Sequence, residues 1–202
     1  MECSQIAQKA HALFSHHGIK CVTMNDIAAN LGVSKKTIYK FFVNKDALVG
    51  SFIEQEISEN IVACQRLTDK SSDTITALFL ILLNVQTLYI KLNSVIVHEL
   101  KRCHYAAYLR LENHKKVFIY QAIKTNINKG IQERLYREDF NVEMVAHFFL
   151  ESQTLVSSLQ KRPLKNVKNP HSTENILKCL IYGITTSLGA ELIGTNKIQI
   201  DF

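Results

Sequence analysis

Two prolines and seven glycines in 202 residues leave this chain almost without helix-breaking punctuation. A proline inside a helix costs about 3 kcal/mol and a glycine about 1 kcal/mol relative to alanine, so their scarcity favours long helices. Both prolines fall in one stretch, "KRPLKNVKNPH", residues 161–171, which reads as the one long loop and carries four basic residues.

Periodicity fills in the helices. Ile6, Ala10, Leu13 and Phe14 recur on one helical face and Gly18 follows as a left-handed end. Thr23 opens a second helix with Asp26 in capping-box placement; Ile27, Ala28 and Leu31 mark its inner side and Gly32 closes it. Ser34 is the expected cap of a third helix with Ile38, Phe41 and Phe42 inward, and Asn44 of a fourth that runs to about Leu67. After the polar break "TDKSSD" the pattern predicts helices at 73–90, 93–105, 107–129, 141–160 and 173–193, with Gly130 as a helix end and Asp139 or Asn141 at the next start. The expectation is an all-α chain with a three-helix head at 1–46 and a helical body at 47–202.

Hydrophobic residues make up 47% of the chain, enough for a substantial core. The five cysteines are scattered without a C-x-x-C pair, which argues for buried apolar use in a reducing compartment rather than for disulfides or zinc. No signal-type segment opens the chain, and the most apolar run, "ITALFLILLNVQTLYI", is interrupted by Asn84, Gln86 and Thr87. A cytoplasmic protein with no membrane partner, metal or cofactor is expected. The formal net charge is +6, and residues 1–50 hold six lysines against Glu2, Asp26 and Asp46. That imbalance favours a polyanion partner near the N-terminus.

Two short helices joined by a glycine-containing turn match the helix-turn-helix unit. On the third helix Lys36 and Lys40 fall opposite Ile38, Phe41 and Phe42, with Thr37 and Tyr39 flanking them and no acidic residue beside them. Lysine and threonine suit base edges in a major groove, and serine and tyrosine hydroxyls suit phosphate oxygens. Thr23 and Lys45 stand at the N-termini of the second and fourth helices, where backbone N–H groups and the helix dipole favour phosphate.

The stretch "TMNDIAANLGVSKKTIYKFFVNKDALV", continued upstream into "AHALFSHHGIKCVTM", resembles the DNA-binding domain of TetR-family transcriptional repressors. The agreement runs in order through Thr23, Asp26-Ile27-Ala28, Gly32-Val33-Ser34, Thr37-Ile38-Tyr39, Phe42, Lys45 and Leu48. Beyond it the likeness is architectural, with "NKGIQERLYREDFNVEMVAHFF" similar to the segment that often joins two late helices there. The resemblance implies that Lys36, Thr37 and Lys40 face bases, with Thr23, Ser34, Tyr39 and Lys45 on phosphates and Lys35 in the same patch. Lys36 departs from the glycine common at that place, so base preference does not carry over from relatives. No basic arm precedes the first helix, and readout is expected to rest on the third.

For the body the resemblance implies a ligand-binding and dimerisation domain. Phe79, Gln86, Tyr89, His98, Tyr105, Tyr108 and Phe118 interleave aromatic and polar groups and are the candidates for an unidentified small, largely apolar effector. Ile176, Leu177, Leu180, Ile181, Ile184, Leu188 and Leu192 form a stripe on the last helix, and Val145, Phe148, Phe149, Leu155 and Leu159 lie on the one before. The pattern alone fits either an internal core or a four-helix homodimer interface, and the resemblance implies the latter. The expected function is a ligand-responsive regulator, a repressor, that binds double-stranded DNA as a dimer. The alternatives are a helical interaction module without DNA binding and an enzyme, against which stands the absence of P-loop, nucleophile-elbow and H-E-x-x-H signatures.

Overall fold

The computed structural model describes residues 3–161 and 172–195. The loop expected around both prolines, together with the side chain of Leu159, lies outside the described residues. Regular structure among the described residues is helical: α1 (Cys3–His17), α2 (Met24–Leu31), α3 (Lys35–Tyr39), α4 (Lys45–Lys70), α5 (Thr74–Lys91), α6 (Ser94–Cys103), α7 (Tyr105–Asn113), α8 (Tyr120–Gln132), α9 (Val142–Lys161), α10 (Ser172–Tyr182) and α11 (Ser187–Thr195). A π-helical stretch, His114–Ile119, links α7 to α8, so the single helix expected at 107–129 is interrupted. The chain forms two compact units, Met1–Glu59 with Ile90–His114, and Asn60–Tyr89 with Lys115–Phe202. The head expected at 1–46 therefore packs inside a larger unit that includes the start of α4, all of α6 and α7.

In the first unit Ile6, Ala10 and Phe14 of α1 are fully buried with Ile27, Ile38, Leu48 and Phe52. His11 ties α1 to α4: its ring bonds Gln55 at 2.8 Å and Ser51 at 3.0 Å and packs on Phe52, and burial lowers its pKa. The caps follow the sequence closely. Thr23 accepts from the Asp26 N–H while the Asp26 carboxylate accepts from the Thr23 N–H, a complete capping box. Gly32 ends α2 at φ 66, a left-handed conformation that a side chain resists. Ser34 caps α3 and Asn44 accepts from the Ala47 N–H at 2.9 Å. Thr23→Ala should cost about 1 kcal/mol of stability, read by thermal melting; a variant as stable as the parent would show that the cap carries no weight.

The third helix departs from expectation in length and in one inner residue. It is only five residues long, and Phe41 falls beyond its end with 42% of its surface exposed, whereas Ile38 and Phe42 are buried. Phe41 is displaced because its N–H and that of Phe42 both bond to the Ile38 carbonyl, tightening the turn.

The second unit has its core between α5, α8, α9 and α10, around Phe79, Leu82, Ile123, Ile127, Phe149 and Leu177. Among the described residues only α5 is long and apolar enough to cross a membrane, and 56% of it is buried. Asn141 caps α9 through the Met144 N–H at 2.9 Å. Gly130 is not a helix end but an interior residue of α8. A Cβ there would stand 2.2 Å from the Tyr136 ring, so the glycine admits that ring. The helix expected at 173–193 is broken at residues 183–186. There the backbone leaves the helix to pair with 135–137: Arg137 N–H bonds the Ile184 carbonyl at 2.9 Å and Thr186 N–H the Leu135 carbonyl at 3.0 Å. The Thr186 hydroxyl then accepts from the Gly189 N–H and starts α11. Gly189 admits the Leu135 carbonyl, 2.3 Å from where its Cβ would be.

Candidate nucleic-acid interface

The expected DNA residues separate into three groups. Lys35, Lys36, Tyr39 and Lys40 are exposed on α3 and at its end, with the Lys35 ammonium 5.8 Å from the centre of the Tyr39 ring. Within α2, α3 and the turn between them Asp26 is the one carboxylate, so the α3 surface keeps its positive charge. Ser34 and Thr37 form the second group. The Ser34 hydroxyl accepts from the Thr37 N–H at 3.2 Å and lies 2.9 Å from the Thr37 hydroxyl, so both are partly committed to holding the helix start.

Thr23 and Lys45 form the third group, and their polar atoms are engaged elsewhere. The Thr23 hydroxyl donates to Asp26 at 2.7 Å, and this bond helps hold the Asp26 carboxyl below the usual carboxylate range. The half-buried Lys45 ammonium donates to the Ile19 carbonyl at 2.6 Å, and burial lowers its pKa. The same turn is gripped from the other side by α6. The Glu99 carboxylate accepts from the Ile19 and Lys20 N–H groups at 2.8 and 3.0 Å. Backbone N–H groups at such a turn make a concave anion site, which Glu99 fills from within the chain. Sequence reading missed Glu99, since nothing local links it to residues 19 and 20. His104 with Asp46, and Arg110 with Glu54 at 2.7 Å, hold α4 in the same unit.

A helix-turn-helix built on these caps agrees with known proteins. Residues 6–52 match the family model for bacterial regulatory proteins of the tetR family. The chain is 29% identical over 171 residues to the HTH-type transcriptional regulator YvaF of Bacillus subtilis strain 168, covering 84% of this chain and 88% of that one. The chain thus carries, at residues 6–52, a DNA-binding domain of the tetR type. It is a transcriptional regulator of the TetR type with a DNA-binding domain, and its relatives are regulators rather than enzymes. It is also 20% identical over 187 residues to the transcriptional repressor KstR2 of Mycobacterium tuberculosis, covering 90% of this chain and 92% of that one. The fold is shared with the regulator FadR of Bacillus subtilis, solved with stearoyl-CoA: TM-score 0.71 and 18% identity over 91% of this chain and all of that one.

The seven effector candidates of this chain are divided between the two units. His98, Tyr105 and Tyr108 belong to the first unit, where the two tyrosines stack at 5.9 Å and Lys101 lies over Tyr108. Phe79, Gln86, Tyr89 and Phe118 belong to the second. Of these only Phe118 lines the large cavity, about 880 Å³, bounded by the end of α4, the turn 71–73, α5 and α8. Residues missed by sequence line the rest, among them Cys64, Thr68, Ala77, Ile81, Gln121, Ala122 and Asn126. The signal was the break "TDKSSD", a polar mouth between two helix ends. Burial pushes the Cys64 thiol up to about 11, so it lines the cavity as a neutral apolar group.

Gln86 stands apart from that cavity. It is 1% exposed, and neither its amide nitrogen nor its oxygen has a partner among the described residues. Leaving such a group unpaired costs about 1–3 kcal/mol. Gln86→Met, similar in volume and without the amide, should raise the melting temperature by several degrees; a lowered value would mean the amide is satisfied in solution.

Proposed function

We propose that this chain is a ligand-responsive repressor that binds a pseudo-palindromic operator as a homodimer and is released by a small, largely apolar effector. The observation that carries the DNA reading is the exposed Lys35, Lys36, Tyr39 and Lys40 surface on a helix fixed by capped, buried neighbours. Lys36, Thr37 and Lys40 are assigned to base edges and Tyr39 to a phosphate. Thr23, Ser34 and Lys45 support that surface while their polar atoms hold the turns. A cytoplasmic location goes with this role.

Dimerisation is supported by the apolar residues left exposed on α9 and α11. Met144, Phe148 and Leu155 are 72%, 58% and 61% exposed at i, i+4 and i+11, and Leu188 is 52% exposed. Phe149, Leu177, Ile181 and Ile184 of the expected stripes are instead buried within the chain, so the proposed interface is narrower than the sequence pattern suggests. Two heads on a two-fold axis would meet half-sites about 34–36 Å apart in successive major grooves.

The effector is assigned to the 880 Å³ cavity, which falls in the size range of small-molecule sites. FadR, of the same fold, holds stearoyl-CoA, and a ligand with a long apolar body suits the Ile81, Val117 and Phe118 side of the cavity. An effector shifts the DNA-competent population only as far as its affinity differs between the two states. Titration of the full chain against genomic fragments at several salt concentrations tests the reading. Binding should weaken steeply as salt rises, because phosphate contacts release counterions. If no fragment binds above background at low salt, the interaction-module alternative replaces it.

A further inference from the structure

The large cavity of the second unit is neutral where it is buried and charged only toward solvent. Its buried lining consists of Cys64, Thr74, Ala77, Ile81, Asn126 and Leu135, with no ionised side chain among them. Burial keeps the Cys64 thiol protonated. The other ionisable lining residues are Asp69, Lys129 and Glu133, all exposed, and Asp73, half-buried in the turn between α4 and α5.

The polar groups of this wall satisfy one another. The Thr68 and Ser71 hydroxyls donate to the Cys64 and Leu67 carbonyls near the end of α4. Asp73 accepts from the Ser72 hydroxyl and from the Thr76 N–H and hydroxyl, each at 2.8 Å. Lys129 pairs with Glu133 at 3.8 Å, and Glu133 also accepts from the Thr74 hydroxyl. The Thr74 carbonyl accepts from the Asn126 amide at 2.9 Å, and it shares the Tyr136 hydroxyl hydrogen with the Asn126 oxygen. An anionic head group would thus meet one lining cation, already paired. A cationic head would meet carboxylates already held by donors, apart from Asp69, which stands in solvent on the last turn of α4. Drawing either charge into the buried end would strip it of water with no opposite charge to receive it.

We propose that the cavity takes an uncharged lipophile, its apolar body against Ile81, Phe118 and Leu135. This rests on the assignment of the cavity as the effector site and names the class of effector, a molecule with no ionised group at neutral pH.

The test uses the full chain and three eight-carbon probes of nearly equal size, octanamide, octanoate and octylammonium, titrated by calorimetry at neutral pH in low and high salt. Octanamide is expected to bind about tenfold or more tightly than either ion, and salt should not close the gap, since desolvation rather than a screened pair sets it. Asp69→Asn, an exposed change, should leave octanamide affinity and the order of the three probes unaltered. Ala122→Phe should abolish octanamide binding by filling the cavity, with the melting temperature as the control for folding. Val117→Trp, at a more exposed point of the lining, serves if that variant does not fold. A smaller gap to either ion, an order that changes with Asp69→Asn, or octanamide binding untouched by a folded filling variant overturns the proposal. Gel shifts run in parallel separate it from the regulatory reading. Release of DNA by octanoate or octylammonium but not by octanamide defeats the ligand class alone. Octanamide binding that meets every expectation but leaves DNA affinity unchanged upholds the ligand class and defeats the assignment as an effector.

Discussion

Replacing Lys36 and Lys40 together by alanine should lower affinity for the best operator roughly a hundredfold or more, on the basis of about 1–3 kcal/mol for each side chain that reads a base. Both lysines are exposed one turn apart on the same surface, and neither holds the fold, so the melting temperature should stay close to that of the parent. The loss should be largest on the preferred site and smaller on random DNA. Single changes sharpen the assignment. Lys36→Ala should flatten the preference at particular base pairs, and Tyr39→Phe should weaken all sites alike. Affinity measured across a set of operator variants checks both. Equal losses on every variant for Lys36→Ala would move that residue from base readout to the phosphates. Lys45→Ala gives a contrasting result: because its ammonium holds the Ile19 carbonyl, it should destabilise the first unit rather than only weaken DNA.

The second large effect concerns Gly130. A single methyl group at that position would lie 2.2 and 2.3 Å from two carbons of the Tyr136 ring. The ring has little freedom to withdraw, since its single hydroxyl hydrogen is shared between the Asn126 side-chain oxygen at 3.2 Å and the Thr74 carbonyl at 3.3 Å in a buried setting. Gly130→Ala should therefore destabilise the protein by about 2–3 kcal/mol, as overpacked cores do, and lower the melting temperature by about 5–10 °C. Adding Tyr136→Ala to Gly130→Ala should cost less than the two single effects combined, because the clash is then gone. Strict additivity in thermal melts would locate the damage elsewhere.

Which parts were legible in the sequence follows from how local their chemistry is. Thr23 with Asp26, Gly32, Ser34 and Asn141 act on backbone groups within a few residues, and each stands where the sequence places it. The all-α character follows from the same kind of signal, the rarity of proline and glycine. What could not be read depends on residues far apart in the chain. Gly130 looks like a helix end until Tyr136 is packed against it, and the last helix looks continuous until residues 183–186 find partners at 135–137. The grip of Glu99 on residues 19 and 20 crosses some eighty positions and leaves no local trace. In the site, the exposed lysines of α3 were legible from helical phase, whereas the commitments of Thr23 and Lys45 were not, because a residue type does not say which acceptor it has already found. The cavity escaped for a related reason. Aromatic residues drew attention to the core, while the mouth is made by the polar residues of a turn.

The shortness of α3 sets an upper limit on how much sequence one head can distinguish. Five residues, Lys35–Tyr39, advance about 7.5 Å along the helix axis at 1.5 Å per residue. That length matches about two base-pair steps of duplex at 3.4 Å each. As the proposed reading element, α3 itself spans about two or three base pairs, or about four to six bits, far too few to single out one address among the millions of competing sites in a genome. On the proposed dimeric reading, most of the discrimination would come from the spacing between two copies and from the deformability of base pairs that neither head touches.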